Sequence, residues 1–419
     1  MTIGDSSSPV VILRLDHHGA LGIARSLGRL GVAVYGVHTK EGSPASHSRY
    51  CRRGFIWDLD ATPASESVNF LLSLARKIGG RPILLPSNDE TALFAAENAE
   101  ALRQAFDFPV NSATLVRTLF EKQSMFLLAK EVGIPTPETA FPTSRADVVR
   151  FCETARFPVV LKASDGITVA RRTGKKMVIV RSAEELLRNY EEMADPQNPD
   201  LILQEYIPGD DSSVWMFNGY FDENSDCLVG FTGRKIHQYP VYTGMTSLGI
   251  CLENKTVNDL TRRFMKSIGY RGILDIGYRY DARDQQYKVL DVNPRVGATF
   301  RLFVAQNGMD VVRAMYLNMT GQPVPASTAH EGRKWIVENM DLISTSHYFR
   351  DGNLKVSAWL RSLRGIEECA WFAKDDLKPF GDMCGSLASS IFKKATRKVH
   401  GKLSHKHSAT ERVASGAHS

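Results

Sequence analysis

Long apolar runs are missing from this chain: none approaches the roughly 18 residues that a membrane-spanning helix needs. The opening "MTIGDSSSPVVILRLD" has no basic leader region, and its apolar run is too short for a signal peptide. Cysteine is sparse. The 6 thiols, at positions 51, 152, 227, 251, 369 and 384, form no Cys-x-x-Cys and no Cys/His spacing suited to zinc. They read as reduced cysteines, and a soluble, cytoplasmic protein is expected. Charge of one sign is also lacking over most of the length. The formal net charge of +6 resides in residues 391–419, which hold seven Lys/Arg and one acid, leaving the rest balanced. The folded part therefore carries no electrostatic footprint for nucleic acid. The tail, "IFKKATRKVHGKLSHKH" and onward, is poor in apolar positions. It reads as disordered, attracted at most to anionic surfaces, with no stable membrane anchor.

What is present is ordinary globular material of 419 residues, 43% hydrophobic and long enough for two or three domains. "VVILRL", "GALGIARSLGRLG" and "VAVYGVH" read as a βαβ unit. Gly19-x-x-Gly22 falls short of a dinucleotide fingerprint, and the place of the ribose-binding acid reads His38-Thr39-Lys40. Those glycines equally suit a helix that packs closely. "PILLPSND" is another strand, ending in Asn88-Asp89-Glu90, either a ligand position at a strand's carboxyl end or a helix cap. A hairpin follows from "FPVVLKASDG" to "KKMVIVRS", with Lys162 central in its first strand, and then the strand "LILQEYIPGDD".

The most informative stretch is "VLDVNPRVGATFRLF", Val289 to Phe303. Side chains alternate faces along a strand, so Asp291, Asn293 and Arg295 project together from one side of an otherwise apolar run. Buried without partners such a row would be costly, so it faces a cleft, a metal or a phosphate, or else marks a strand end at the surface. The charged turn "ARDQQ" joins this strand to "GILDIGYRYD" and predicts an antiparallel pair that brings Asp275 beside the row. Two facing carboxylates repel, and a divalent cation between them removes the repulsion.

"VLDVNPR" preceded by "GILDIGYRYD", together with Lys122, Lys162 and the "LILQEYIPG" strand, resembles the ATP-grasp superfamily over residues 8 to 325. Within it the chain is similar to carboxylate–amine ligases of the D-aspartate ligase-like kind and to carbamoyl-phosphate synthase-like enzymes. The resemblance implies a mixed α/β and α+β architecture with three parts: an amino-terminal Rossmann-like domain, a small lid, and a carboxyl-terminal antiparallel sheet. The expected boundaries are residues 1–115 for the Rossmann-like domain and 116–325 for the ATP-grasp domain, with the lid about 125–208. A carboxyl-terminal extension, 326–390, and the basic tail, 391–419, follow.

The resemblance also implies roles. Lys122 and Lys162 would approach the ATP phosphates. Gln204, Glu205, Tyr206 and Ile207 would form the adenine-reading hinge, with Asp210 or Asp211 on the ribose unless they are plain turn residues. Asp275, Asp291 and Asn293 would hold Mg²⁺, or Mn²⁺ in its place; relatives use the position occupied here by Gly277, so the first of these roles falls either to Asp275 or to water. Arg295 would face the transferred phosphoryl group. Arg234 and Lys235, on opposite faces of one strand, compete to line the acceptor wall, with His237 a companion to Arg234 and Arg301 a further carboxylate clamp. Relatives carry a glycine-rich lid loop; here only Gly166 and Gly174 stand there, among Arg171, Arg172, Lys175 and Lys176.

The expected reaction joins a small-molecule carboxylate to an amine through an acyl phosphate, with ADP formed. The alternatives are ATP-dependent bicarbonate activation and a nucleotide-binding module without chemistry. Against bicarbonate activation, no tandem second copy and no biotin-acceptor Met-Lys in a suitable context are present. A homodimer is expected only by analogy. Residues 326–390, with Trp335, Trp359 and Trp371, could cover the acceptor side of the cleft.

Overall fold

The computed structural model describes residues 1–163, 177–195, 201–242 and 244–389. The lid-loop residues Gly166, Arg171, Arg172, Gly174, Lys175 and Lys176, and the basic tail, lie outside the described residues. Three sheets organise the rest. The first is wholly parallel, in the order β3-β2-β1-β4, from β1 (Val10–Leu13), β2 (Val34–His38), β3 (Cys51–Ile56) and β4 (Ile83–Pro86). The all-apolar β1 is buried along its whole length, as a central parallel strand covered on both faces must be.

The second sheet is antiparallel, in the order β5-β8-β6-β7: β5 (Thr139–Ala140), β6 (Val159–Ala163), β7 (Met177–Val180) and β8 (Leu201–Glu205). Helices Arg145–Thr154 and Ala183–Met193 pack on it through Val148, Phe151, Leu186 and Tyr190. This core shares no member with the others, so the small sheet is a separately packed body.

The third sheet has seven strands in the order β13-β12-β9-β10-β11-β14-β15. They are β9 (Val214–Phe221), β10 (Cys227–Tyr239), β11 (Met245–Cys251), β12 (Gly272–Asp281), β13 (Gln286–Asn293), β14 (Lys334–Ile336) and β15 (Ile366–Cys369). All pairs are antiparallel except β14 with β15, so the sheet is mixed at the edge that the carboxyl-terminal extension builds. Trp335 on β14 is 1% exposed and belongs, with Trp371, to a core that also takes in Val10, Leu21, Met216 and Phe300. The first sheet and the large sheet therefore share one apolar interior. Asp376 tightens the junction, accepting from Arg25 Nε at 2.9 Å, Ser48 Oγ at 2.6 Å and the Arg49 N–H at 2.9 Å.

Gly19 and Gly22 of the amino-terminal helix His18–Gly28 have a packing role. A Cβ on Gly19 would stand 2.7 Å from Ala298 Cα, and one on Gly22 would stand 3.0 Å from Arg301 Cγ. They let the helix lie against the loop that follows β13, the strand bearing the polar row. No helix among the described residues is long and apolar enough to cross a membrane.

Candidate active site

The β12–β13 hairpin places Asp275 opposite Asn293 and Gly277 opposite Asp291. Asn293 Nδ2 bridges the two carboxylates, 3.3 Å from Asp275 Oδ2 and 3.2 Å from Asp291 Oδ2. Burial raises the Asp275 carboxyl above the ordinary range, and the nearby Asp291 charge adds to this against Arg295 and Lys235. Burial acts in the same sense on Asp291, but the Lys122 ammonium outweighs it and holds that group below its usual value. The loop after β13 closes on the pair: a Cβ on Gly297 would sit 2.5 Å from Asp275 Cγ. On β9, Asn218 is in register with Asp275 and fully buried, and its amide acts on Asp275 in the sense that lowers the carboxyl pKa.

Two lysines approach from other elements. Lys122 is the first residue of helix Lys122–Glu131, where a cation opposes the helix dipole, and its ammonium hydrogen-bonds Asp291 Oδ1. With side chains 36% and 44% exposed, that ion pair contributes on the order of 0–1 kcal/mol to the fold. Stability does not account for Lys122 at this position. Lys162, on β6 of the small sheet, donates to Gln204 Oε1 at 2.9 Å. Burial and then the Lys122 charge pull its pKa down to about 8, against the attraction of Asp291.

The hinge after β8 is fixed from both sides. Arg279 Nε donates to the Ile207 carbonyl at 2.9 Å, and its Nη2 to the Gly209 carbonyl. Tyr206 N–H donates to Pro158 O at 3.3 Å, whereas the Ile207 N–H has no acceptor among the described residues. The Glu205 carboxylate is turned into a charged cluster, accepting from Arg283 Nη2 at 2.6 Å and Lys288 Nζ at 3.1 Å. Asp210 is a turn residue that accepts from Ser212 N–H at 2.9 Å and Ser212 Oγ at 2.6 Å. Asp211 is tied to the wall, accepting from Gln238 Nε2 at 2.6 Å and Tyr348 O–H at 2.9 Å.

The register decides between the two basic residues of β10. Asp275 pairs with Asn218 and Asn218 with Phe231, so Phe231, Gly233 and Lys235 share the face of Asp275. Lys235 feels the charges of Asp275, Asp291 and Asp211, although burial still depresses its pKa, and its ammonium donates to Gly244 O at 2.8 Å. Arg234 lies on the opposite face, with its guanidinium 5.5 Å from the Trp215 ring centre and its buried Nε without a hydrogen-bond partner among the described residues. His237 is also drawn away, its Nδ1 2.8 Å from Asp341 Oδ1 in the extension. Arg301 is no cleft residue in this geometry: it donates to Glu368 at 2.8 and 2.7 Å, hydrogen-bonds Asp310, and is buried.

Arg295 closes the far side. Its Nε lies 2.8 Å and its Nη2 3.3 Å from the two Asp89 carboxylate oxygens, and Nη2 also donates to Asn293 Oδ1 at 3.2 Å. Asn88 caps helix Asp89–Glu97 while Asp89, its first residue, reaches Arg295, so the two readings of the segment divide between neighbours. The sequence marks Asp89 and Arg295 but not their pairing, and it leaves Gly297 and Arg279 unremarked. Of these two only Arg279 carried a local signal, since it lies on the same face of β12 as Asp275.

Carboxylates and amides are hard oxygen donors, which suits Mg²⁺ better than zinc. Asp275 and Asp291 fit that role as they stand; Asn293 fits it once its amide turns, because Nδ2 now faces the carboxylates. Among the described residues no three His, Cys, Asp or Glu side chains gather as a metal nest, so the candidate is this set of two acids and an amide.

No family model matches the chain. It is 26% identical over 243 residues to the D-aspartate ligase of Enterococcus faecium, covering 55% of this chain and 57% of that protein. It is 23% identical over 210 residues to the carbamoyl phosphate synthase large chain of Thermus thermophilus, covering 48% of this chain and 20% of that one. The chain thus spans just over half of one relative and a fifth of the other. The N5-carboxyaminoimidazole synthetase structure from Staphylococcus aureus, complexed with ADP, superposes with a TM-score of 0.61 at 14% identity, over 84% of this chain and 87% of that one. The fold is that of the ATP-grasp superfamily. In it the parallel sheet forms the amino-terminal domain, the small antiparallel sheet the lid, and the Asp275–Asp291 row lies on the large carboxyl-terminal sheet.

Proposed function

We propose that the chain is an ATP-dependent ligase that joins a small-molecule carboxylate to an amine, with ADP formed. The observation that carries this reading is the convergence of two lysines, two carboxylates and an arginine from four separate segments. Lys122 and Lys162 are cations poised for a polyanion, neither needed for the fold in the way a buried pair is. Magnesium ATP would supply the phosphoryl group that turns a carboxylate into an acyl phosphate, from which phosphate leaves readily. Asp275 and Asp291, with Asn293, would hold the metal. Arg295 would present its positive charge and its remaining Nη1–H to charge developing on the transferred group, and Lys162 would draw the same charge from the lid side. Lys235 lines the acceptor wall in preference to Arg234. The separately packed lid suits closure over the cleft, which keeps water from the activated carboxylate.

The D-aspartate ligase similarity supports an amino acid as one substrate. Phosphate release from Mg-ATP, screened over pooled amino acids and small amines with product masses recorded, is expected to show amine-dependent turnover in the intact chain. Asp291→Asn is expected to lower it by a hundredfold or so, in the range found when a charge-stabilising group is removed. Full turnover in that variant removes the metal assignment. The similarity to a carbamoyl phosphate synthase favours a second reading, bicarbonate activation. Phosphate release stimulated by bicarbonate alone, with no amine requirement, would select it.

A further inference from the structure

The phosphoryl-facing arginine is not held by its own domain alone. Arg295 has five N–H donors, and among the described residues four are engaged: Nε and one Nη2–H by Asp89, the other Nη2–H by Asn293 Oδ1, and one Nη1–H by the Val296 carbonyl at 3.2 Å. One Nη1–H remains. Asp89 comes from the first turn of the helix after β4, 206 residues earlier in the chain, and the pair is 16% and 24% exposed, screened from water on most sides. A bidentate carboxylate on a guanidinium fixes the plane of the fork as well as its position.

The neighbouring polar groups leave Asp89 as the charge facing Arg295 from the amino-terminal domain. Ser87 Oγ donates to the Leu13 and Arg14 carbonyls, at 2.8 and 2.9 Å, and therefore accepts from His17 Nε2 at 3.1 Å. His17 Nδ1 in turn accepts the Ala20 N–H at 3.4 Å. Both ring nitrogens are thus spent on a neutral cap. Burial and the Arg295 charge keep the ring in that state, with its pKa lowered to about 4.

We infer that Asp89 is a positioning residue for Arg295, a carboxylate of the amino-terminal domain that orients the phosphoryl-facing guanidinium of the large sheet across the interface between them. The inference rests on the functional reading above for what Arg295 faces, and on the geometry alone for what Asp89 does to it. Replacing Asp89 by Asn keeps the shape but sets an amide N–H₂ against guanidinium donors, so the fork loses its plane.

The test uses the full chain and three measurements: Mg-ADP affinity by calorimetry, phosphate release from Mg-ATP with pooled amino acids, and water exchange of the Arg295 Nε–H by NMR, assigned by its loss in Arg295→Lys. Asp89→Asn is expected to lower kcat by about 10- to 100-fold, the cost of a misplaced catalytic group. The Mg-ADP Kd should stay within about threefold, and the Nε–H should exchange about tenfold faster or more. Asp89→Glu, which keeps the charge one methylene away, should recover part of kcat. Unchanged kcat, a Kd that worsens in step with kcat, or unaltered Nε–H exchange would each overturn the inference. An intact chain that neither binds Mg-ADP nor releases phosphate would instead remove the functional reading, and the exchange rates would still decide whether Asp89 orders Arg295.

Discussion

Lys162 offers a pH-dependence whose sign and size follow from its surroundings. The ammonium sits beside Gln204, is repelled by Lys122 and attracted by Asp291, and burial is the largest influence on it. Its pKa falls from 10.5 to about 8. With that value roughly nine-tenths of the molecules carry the charge at pH 7 and one-tenth at pH 9. A polyphosphate that needs the ammonium should then bind about tenfold more weakly at pH 9 than at pH 7, close to 1.4 kcal/mol. Near pH 8, binding should take up about half a proton. Calorimetry of Mg-ADP in two buffers of different ionisation enthalpy measures both quantities. Lys162→Arg, which stays charged throughout, should flatten the profile and so separate it from any titration of the buried Lys235. The unliganded fold should respond in the opposite sense. The unfolded lysine keeps its proton until about pH 10.5, so between the two values the unfolded chain holds more protons and stability rises with pH, by at most about 3 kcal/mol. A Kd constant from pH 7 to 9, or a Lys162→Arg protein with the same slope as the parent, would refute the placement of this lysine against phosphate.

Two further outcomes follow from the geometry. Gly297→Ala would drive a methyl group into Asp275 Cγ, displacing either the carboxylate or the loop that bears Arg295. Its nucleotide binding should lose most of its dependence on magnesium, read as the ratio of ADP affinities with and without the metal, and the overpacking should lower stability by about 1–3 kcal/mol. Arg301→Met should act on folding alone: it takes one guanidinium from Glu368 and Asp310, which keep Arg333 and Ser26 as partners, at a cost of about 1–3 kcal/mol, so the unfolding midpoint should fall. The Mg-ADP affinity of the molecules that remain folded should be unchanged.

The β12–β13 hairpin was legible because polar residues at period two in apolar strands put one whole face against something polar, and a charged turn fixed the pairing. Lys162 stood out for the same reason, an ammonium in the middle of a strand otherwise made of Val, Leu and Ala. Other features depend on contacts that no local pattern records. Whether Arg234 or Lys235 lines the cleft is set by how β10 registers on β9, and a slip of one residue would exchange them. Arg301 looked like a clamp because a guanidinium after the metal strand has the right chemistry; its buried acids come from the following segment and from β15. The glycines of helix His18–Gly28 suggested packing, but their partner, the loop at Ala298–Arg301, lies far along the chain. The mixed edge of the large sheet was invisible for a related reason, because short strands such as β14 and β15 carry too few residues to show alternation.

The extension binds at both ends of the molecule. Asp341 draws His237 of β10 toward it, Tyr348 holds Asp211, and Asp376 grips Arg25 and Ser48 on the amino-terminal helix and the loop beyond it. A graft meant to exchange acceptor preference with a relative therefore has to carry residues 338–376 as a unit, along with their docking partners on the first fifty residues. Exchanging residues 338–376 without those partners would leave the buried Arg25 facing a foreign segment in place of Asp376, and the hybrid would fail in folding before its chemistry could be compared.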